Sequence, residues 1–418
     1  MIWRVLDLLH ALLALIVYPL RWTRFGRERV AFERDVDPFI AECDWTFEIS
    51  SEGEFEQIKL WLSHLLEGGK KIELIYASPS VKKTVTSLRA KYPQQLRLIP
   101  LPLLTHTPWC LVQELTAPRL VLCRYDFFPA LLARASVSAV RAGVVWGSFT
   151  YRRERLDQAL WRAWYRLIYG QFDWVIPATV TDGRLFERLG QAHVLPYSEM
   201  RVPQILERLR VRQETLAKKF PHWDDFQTAL GRYPLERRWI MGSAWPVDLV
   251  MLSSDEIRND LKQGELCVMV VPHQLSGPWR ELLAPFDVPV HVIDENWQGG
   301  ALGPGIWLVL LKGVLCELYP EASHAYVGGG FRKSVHSVLE PFVACALVVT
   351  GPKVQRSTEV EVIAQVSSHG LTVTRTLNEL SQVYRKMKYA QVHTINREQW
   401  LGEQQSRWLD NLAEVEKC

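Results

Sequence analysis

The chain has 418 residues, 48% of them hydrophobic, which is long enough for two domains of ~200 residues and too long for one ordinary core. Its 49 Lys and Arg nearly offset 46 Asp and Glu, and a formal charge of +3 gives no footing for nucleic-acid binding. Seven scattered cysteines without CxxC spacing read mostly as small buried residues in a reducing compartment and argue against a cysteine metal site.

Residues 1–30 read as a hydrophobic and basic membrane-associated segment. Residues 11–17 are uninterrupted apolar sequence, but Asp7 and His10 keep the run short of the ~20 residues that cross a bilayer. Arg21, Arg24, Arg27 and Arg29 follow, with Trp22 and Phe25 among them. An apolar helix ending this way suits the face of an anionic membrane; a core helix with a solvated basic end is the other reading.

Strands and helices then alternate. Strands are expected at 45–49, 71–77, 96–100, 120–123, 143–147 and 174–177, with helices at 55–66, 80–90, 129–138 and 153–169. Residues 204–236 carry more charge and read as a helical bridge. Strands resume at 238–241, 266–271, 290–293, 306–310, 325–327 and 347–350, with helices after Pro246, at 276–283 and at 334–344. A polar run at 398–417, interspersed with Trp400, Trp408 and Leu412, reads as a terminal helix packing across a domain surface. This βαβ order predicts an α/β protein of two Rossmann-like domains facing a central cleft. The expected boundaries are 1–30 for the membrane segment, 31–205 for the first domain, 206–236 for the linker, 237–390 for the second domain and 391–418 for the terminal helix.

Ligands of such sheets bind outside the carboxyl ends of the strands, so the residues just after strands are the candidates. After the first strand comes SSEGEFEQ, residues 50–57, where like-charge repulsion lets only one of Glu52, Glu54 and Glu56 enter a pocket. Glu54, after Gly53 at a helix start, suits a general base, with helix capping as the alternative. Arg124 and Asp126 follow another buried strand and suit an anionic substrate and a hydroxyl, or simply a salt bridge. Gly242-Ser243-Ala244-Trp245 and Pro272-His273 end two strands of the second half.

Gly328-Gly329-Gly330 stands between a strand and a helix-like segment, where missing side chains permit close backbone approach and exposed amides can receive phosphate oxygens. Arg332 and Lys333 add positive charge, and His336 and Glu340, four apart, are expected on one helical face, with an ordinary tight corner as the alternative. Val349-Thr350-Gly351-Pro352-Lys353 repeats the strand-to-turn arrangement, with Glu359 further on. HExxH, acidic metal clusters, GxSxG and a Walker lysine are all missing from the sequence.

Taken together, Gly53-Glu54, Arg124-Tyr125-Asp126-Phe127-Phe128-Pro129, Gly242-Ser243-Ala244-Trp245-Pro246, Pro272-His273 and, most of all, AYVGGGFRKSVHSVLEP followed by Gly351-Pro352 resemble the 3-deoxy-D-manno-octulosonic acid (Kdo) transferases of Gram-negative lipopolysaccharide assembly. The resemblance implies a glycosyltransferase B fold, a CMP-Kdo donor, a lipid A precursor as acceptor, no metal or other cofactor, and a place on the cytoplasmic face of the inner membrane. It implies Glu54 as catalytic base, with Ser50, Ser51, Gly53, Arg124 and Asp126 around the acceptor or the sugar carboxylate. It implies donor contacts from Gly242, Ser243, Pro272, His273, Gly329, Gly330, Arg332, Lys333, His336, Ser337, Glu340 and Glu359. The chain departs from the family's pattern at Glu52, Leu310, Arg332-Lys333 and Ser337. A transferase of another CMP- or UDP-activated sugar and a catalytically inactive nucleotide-binding scaffold are the alternatives.

Overall fold

The structure is a computed structural model that describes the whole chain except residues 1, 4, 7, 8, 10, 11, 13–17, 39, 41, 105–114, 125, 126, 150–152, 192, 345, 356, 389–396 and 418. It divides into two compact units, residues 1–201 with 404–418, and residues 202–403.

The first unit holds a six-stranded sheet of β1 (Trp45–Ile49), β2 (Ile72–Tyr76), β3 (Leu96–Pro100), β4 (Arg119–Cys123), β5 (Arg141–Gly147) and β6 (Trp174–Pro177), in the order β3-β2-β1-β4-β5-β6. Every pairing is parallel. Parallel strands are covered on both faces, so they appear in sequence as apolar runs rather than alternations. Trp45, Phe47 and Ile49 of β1 enter one apolar cluster, while Leu120 and Leu122 of the adjacent β4 enter the cluster on the other side. Trp61 fills the first cluster, its ring 5.6 Å from Trp45 and 5.1 Å from Phe47. The strand order reverses direction between β1 and β4, which opens a crevice at their carboxyl ends.

The second unit holds β7 (Arg238–Ala244), β8 (Cys267–Pro272), β9 (Val290–Ile293), β10 (Gly305–Val309), β11 (His324–Val327), β12 (Leu347–Thr350) and β13 (Leu371–Val373), ordered β13-β12-β11-β7-β8-β10-β9. All pairings are again parallel. Here the order reverses at β7, between β8 and β11. Residues 201–230 form three helices, Arg201–Arg210, Arg212–Lys219 and Trp223–Leu230, the last two contributing Leu216, Phe226 and Leu230 to this unit's core. In the terminal helix Arg397–Lys417, Trp400 and Leu401 lie against an apolar cluster of the second unit, and Trp408, Leu412 and Val415 enter the core of the first.

Of the basic residues near the N-terminus, Arg29 is not a surface cation. Its guanidinium donates to the Ala77 and Leu101 carbonyls at 2.6 and 2.7 Å and pairs with buried Glu33 at 2.6 Å, fastening the helix Arg24–Glu33 beyond the ends of β2 and β3. Trp22 and Phe25, by contrast, are 72% and 75% exposed. Trp3 is buried, its ring 5.8 Å from Trp164. Among the described residues no helix is long and apolar enough to cross a membrane; Leu12 apart, the apolar run 11–17 lies outside them.

Candidate functional site

The strand tips of the second unit build one site. β7 ends in a bulge in which Ser243, at φ 50°, is the extra residue between Gly242 and Ala244. A side chain on Gly242 would meet the Tyr319 hydroxyl at 2.3 Å, so only glycine lets this strand pass. Asp248, fully buried, then accepts hydrogen bonds from the Trp245 amide (2.9 Å) and the Tyr326 hydroxyl (2.6 Å), and the Gly329 amide is a further donor to it. Burial pushes its carboxyl up from the ordinary value, and these hydrogen bonds and Arg332 oppose the shift.

The glycine triplet after β11 is explained by three different approaches. A Cβ on Gly328 would stand 2.1 Å from the Ser243 carbonyl oxygen, Gly329 has φ 93°, and Gly330 lies against the Gly351 backbone, where a Cβ would have only 2.7 Å. The loop closes on itself through His336 N–H to the Gly328 carbonyl (3.2 Å), and Lys353 N–H, in the turn after β12, holds the Gly330 carbonyl (3.0 Å).

Around this loop lies a cavity of about 360 Å³ lined by Trp245, His273, Gly329, Arg332, Lys333 and His336, with Gln274 and Ser334 completing its wall. Three rings gather there: His273 stacks on Trp245 at 4.7 Å and on His336 at 4.2 Å, and Trp245 Nε1–H donates to His336 Nε2 at 3.2 Å. The Arg332 guanidinium stands 4.0 Å over the Trp245 ring. Burial, then the adjacent His273, holds His336 down at about 4; burial and Arg332 lower His273. Both imidazoles are therefore neutral near pH 7, and the positive charge comes from Arg332 and Lys333. Flat rings, a cation pair and a glycine loop at the reversal point of the sheet can hold an anionic ligand with an aromatic part. A second depression, about 430 Å³, lies among residues 217–225 and includes no strand tip.

The expected helix over 334–344 is shorter, Leu339–Val343, so His336 precedes it and does not share a helical face with Glu340. The cause is Glu359, whose carboxylate accepts from the Val338 and Leu339 amides at 2.8 and 3.1 Å and from the Ser337 hydroxyl at 3.4 Å. Glu340 instead lies 3.7 Å from Arg208, which also makes two hydrogen bonds to Glu317 at 2.9 and 3.0 Å. Ser337, Glu340 and Glu359 thus form a group behind the loop and are not among the residues that line the cavity. Pro272 is buried, opposite Ala244 in the sheet, and places His273. Sequence reasoning singled out neither Asp248, Gln274 and Ser334 nor Trp245 as a site residue; the last stood in the quoted strand tip.

In the first unit Glu54 is the buried member of its triplet. Its Oε2 accepts the Ser50 amide at 2.6 Å, one residue before the N-cap, while the Ser51 hydroxyl accepts the Glu54 amide at 3.4 Å and caps the helix Glu52–Glu67. Glu52 turns to the Thr84 hydroxyl (3.2 Å) and Glu56 to Lys59 (3.4 Å). Ser50 donates its hydroxyl to Glu48, a buried carboxylate in β1. Gly53 has no steric need to be glycine, since nothing comes nearer its Cβ position than the Ser51 hydroxyl at 4.0 Å. Arg124, at φ 65°, holds its guanidinium 3.6 Å over Trp146, itself at φ 55°. Asp126 lies outside the described residues. Glu54 and Arg124 follow the two strands that flank the reversal point of this sheet.

Among the described residues no group of three or more His, Cys, Asp or Glu is placed to hold a metal ion. Cys43, Cys123, Cys267 and Cys316 are buried free thiols, and burial pushes Cys43 up to about 11.

No family model matches the chain, and no curated protein does. Solved structures do. A glycosyltransferase from Rickettsia africae, 10% identical, aligns over 90% of this chain and 98% of its own with a TM-score of 0.51. A UDP-GlcNAc 2-epimerase from Neisseria meningitidis bound to UDP-GlcNAc, also 10% identical, aligns over 89% and 100% with a TM-score of 0.52. The C-terminal CMP-Kdo binding domain of WaaA from Acinetobacter baumannii, 16% identical, aligns over 44% of this chain and 95% of its own, but its TM-score of 0.35 carries no argument. At such identities a likeness speaks for the fold alone, and with the two all-parallel sheets it establishes that the chain has two Rossmann-like α/β units of the glycosyltransferase B type.

Proposed function

We propose that the protein is a glycosyltransferase that takes its sugar from a nucleotide donor bound at the tips of β7, β8 and β11. The observation that carries this reading is the cavity in which Trp245, His273 and His336 adjoin Arg332, Lys333 and the Gly329 turn. Rings suit a base or ribose, and cations with loop amides suit a phosphate. The motif resemblance narrows the donor to CMP-Kdo and the acceptor to a lipid A precursor. On that reading an acceptor hydroxyl attacks the anomeric carbon, Glu54 takes its proton, the configuration inverts, and CMP leaves with its negative charge stabilised by Arg332, Lys333 and the loop amides.

Incubation with CMP-Kdo and a tetraacylated lipid acceptor, read by product mass, tests the full reading. Calorimetric titration with CMP and with UDP tests the nucleotide separately. Glu54→Gln is expected to keep CMP affinity and lower transfer ~10²-fold or more; unchanged transfer removes Glu54 as base. Transfer only from a UDP-sugar corrects the donor, and CMP binding without transfer leaves a scaffold.

The exposed Trp22 and Phe25 support the further proposal that this end of the chain rests on an anionic membrane surface at the cytoplasmic face. Replacing both by Ala is expected to cut cosedimentation with anionic vesicles several-fold, and undiminished binding rejects the segment as the contact.

A further inference from the structure

Trp245 and His336 reach the cavity from different places, the tip of β7 and the loop after β11. Their rings lie edge to edge, planes 15° apart and centroids 6.4 Å apart, with indole Nε1 3.2 Å from imidazole Nε2. An indole N–H has no lone pair and can only donate, and the lone pair of a ring nitrogen lies in the ring plane. The contact is a hydrogen bond only if His336 Nε2 carries no proton. The imidazole is then neutral with its single proton on Nδ1.

Two further contacts keep the ring in this orientation. The Nε2–Cδ2 edge faces Gly329, where a Cβ would sit 3.1 and 3.0 Å from those atoms, so Nδ1 is on the opposite edge. His273 stacks on His336 at 18° and on Trp245 at 30°, which keeps the imidazole in this plane, and a half-turn within it would put Cε1 in place of Nε2 and lose the indole hydrogen bond. The charged and titratable groups around His336 are His273 at the tip of β8, Arg332 and Lys333 on its own loop, Asp248 beneath Gly329, and Glu359 on Ser337. Both carboxylates are engaged with the main chain, which leaves the side facing the cavity cationic.

We propose that Trp245 is a positioning residue that fixes His336 as a neutral imidazole protonated on Nδ1, and that His336 offers this N–H to a phosphoryl oxygen of the bound nucleotide as an uncharged donor. The second half rests on the nucleotide reading above; the first half does not. Burial and the neighbouring His273 act in the same direction by disfavouring the imidazolium. Binding would then need no proton uptake at His336 across the neutral range.

The test is long-range 1H–15N correlation on full-length protein labelled with 15N-histidine, the His336 signals being assigned by their loss in His336→Gln. The ligand-free protein is expected to show His336 protonated on Nδ1 and bare on Nε2, unchanged from pH 8 to pH 5.5. In Trp245→Phe the proton should redistribute toward Nε2 and the ring should titrate nearer the ordinary histidine value. CMP, and not cytidine, should shift the Nδ1–H resonance. Trp245→Phe should weaken CMP binding about tenfold, the size of one well-made hydrogen bond to a charged group. In the His336→Gln background the same change should cost clearly less, as a double-mutant cycle would read. His336 protonated on Nε2 in the wild-type protein overturns the proposal even if Trp245→Phe fails to fold. The expected tautomer without binding of either CMP or UDP would uphold the positioning role and refute the phosphoryl contact together with the nucleotide reading.

Discussion

Glu359 is the residue for which sequence resemblance and structure make opposite predictions. The resemblance makes it a donor contact. In the structure its carboxylate is spent on the chain itself, accepting from the Val338 and Leu339 amides at 2.8 and 3.1 Å, both residues being fully buried. Glu359→Ala would leave two buried N–H groups without their acceptor. At ~1–3 kcal/mol for each orphaned donor, the expected loss is ~2–6 kcal/mol, concentrated in the second unit. Glu359→Gln keeps one acceptor oxygen but loses the charge, and ~1–2 kcal/mol is expected. Urea denaturation measures the loss, and hydrogen exchange over residues 334–345 locates it, with the Val338 and Leu339 amides exchanging faster. Because His336 lies two residues before Val338, CMP affinity should fall only in proportion to this loosening. Glu359→Gln that binds CMP poorly at unchanged stability and unchanged amide exchange would refute the capping account and restore the donor contact.

Gly330→Ala places a Cβ 2.7 Å from the Gly351 backbone and is expected to cost ~1–3 kcal/mol and to weaken nucleotide binding, whereas Gly53→Ala, with no neighbour nearer than 4.0 Å, should leave stability unchanged or slightly raised; thermal melts and CMP titration of the pair decide, and equal behaviour would refute the reasoning. His324, buried in β11 and stacked on Trp239 at 4.4 Å, is lowered by burial from 6.5 to about 4, so the fold holds it neutral and the unfolded chain takes the extra proton. Its contribution is full above pH 6.5 and is lost as pH falls toward 4, by up to ~3 kcal/mol, and His324→Gln should flatten that part of the stability profile; parallel profiles would sink the assignment.

What was legible from sequence is what local pattern encodes. Strands buried on both faces leave apolar runs such as Cys267–Pro272 and Leu347–Thr350, and the residues after them are the ones that parallel sheets present to ligands. Hence His273, Gly329, Arg332, Lys333 and His336, which line the cavity, stand out in the sequence as residues that follow strands. The misses are non-local. Val335, Val338, Leu339 and Phe342 have helical spacing, yet the helix begins at Leu339 because its cap arrives from Glu359, twenty residues on. Arg29 looks like a surface cation beside Arg27 until Ala77 and Leu101 supply its acceptors. The edge strand Leu371–Val373 is short and only half-buried, so it carries no apolar run to see.

The two units place their strand tips by a common device, and it explains why the candidate residues hold strained backbone. In β5 the extra residue of the bulge is Trp146 at φ 55°, and in β7 it is Ser243 at φ 50°. Left-handed backbone at non-glycine residues persists only where surroundings over-determine it. Here a buried carboxylate fixes the chain just beyond each bulge: Asp182 accepts from the Phe149 amide at 2.8 Å and the Ser148 hydroxyl at 3.1 Å, and Asp248 accepts from the Trp245 amide at 2.9 Å. Each carboxylate also accepts a hydroxyl, from Thr179 at the start of its own helix for Asp182 and from Tyr326 of β11 for Asp248. Apolar packing alone would leave the direction of such a loop loose, whereas a satisfied buried hydrogen-bond network rigidifies it and specifies one arrangement. Trp245 and the Arg124–Trp146 pair therefore owe their positions to aspartates that need touch no ligand.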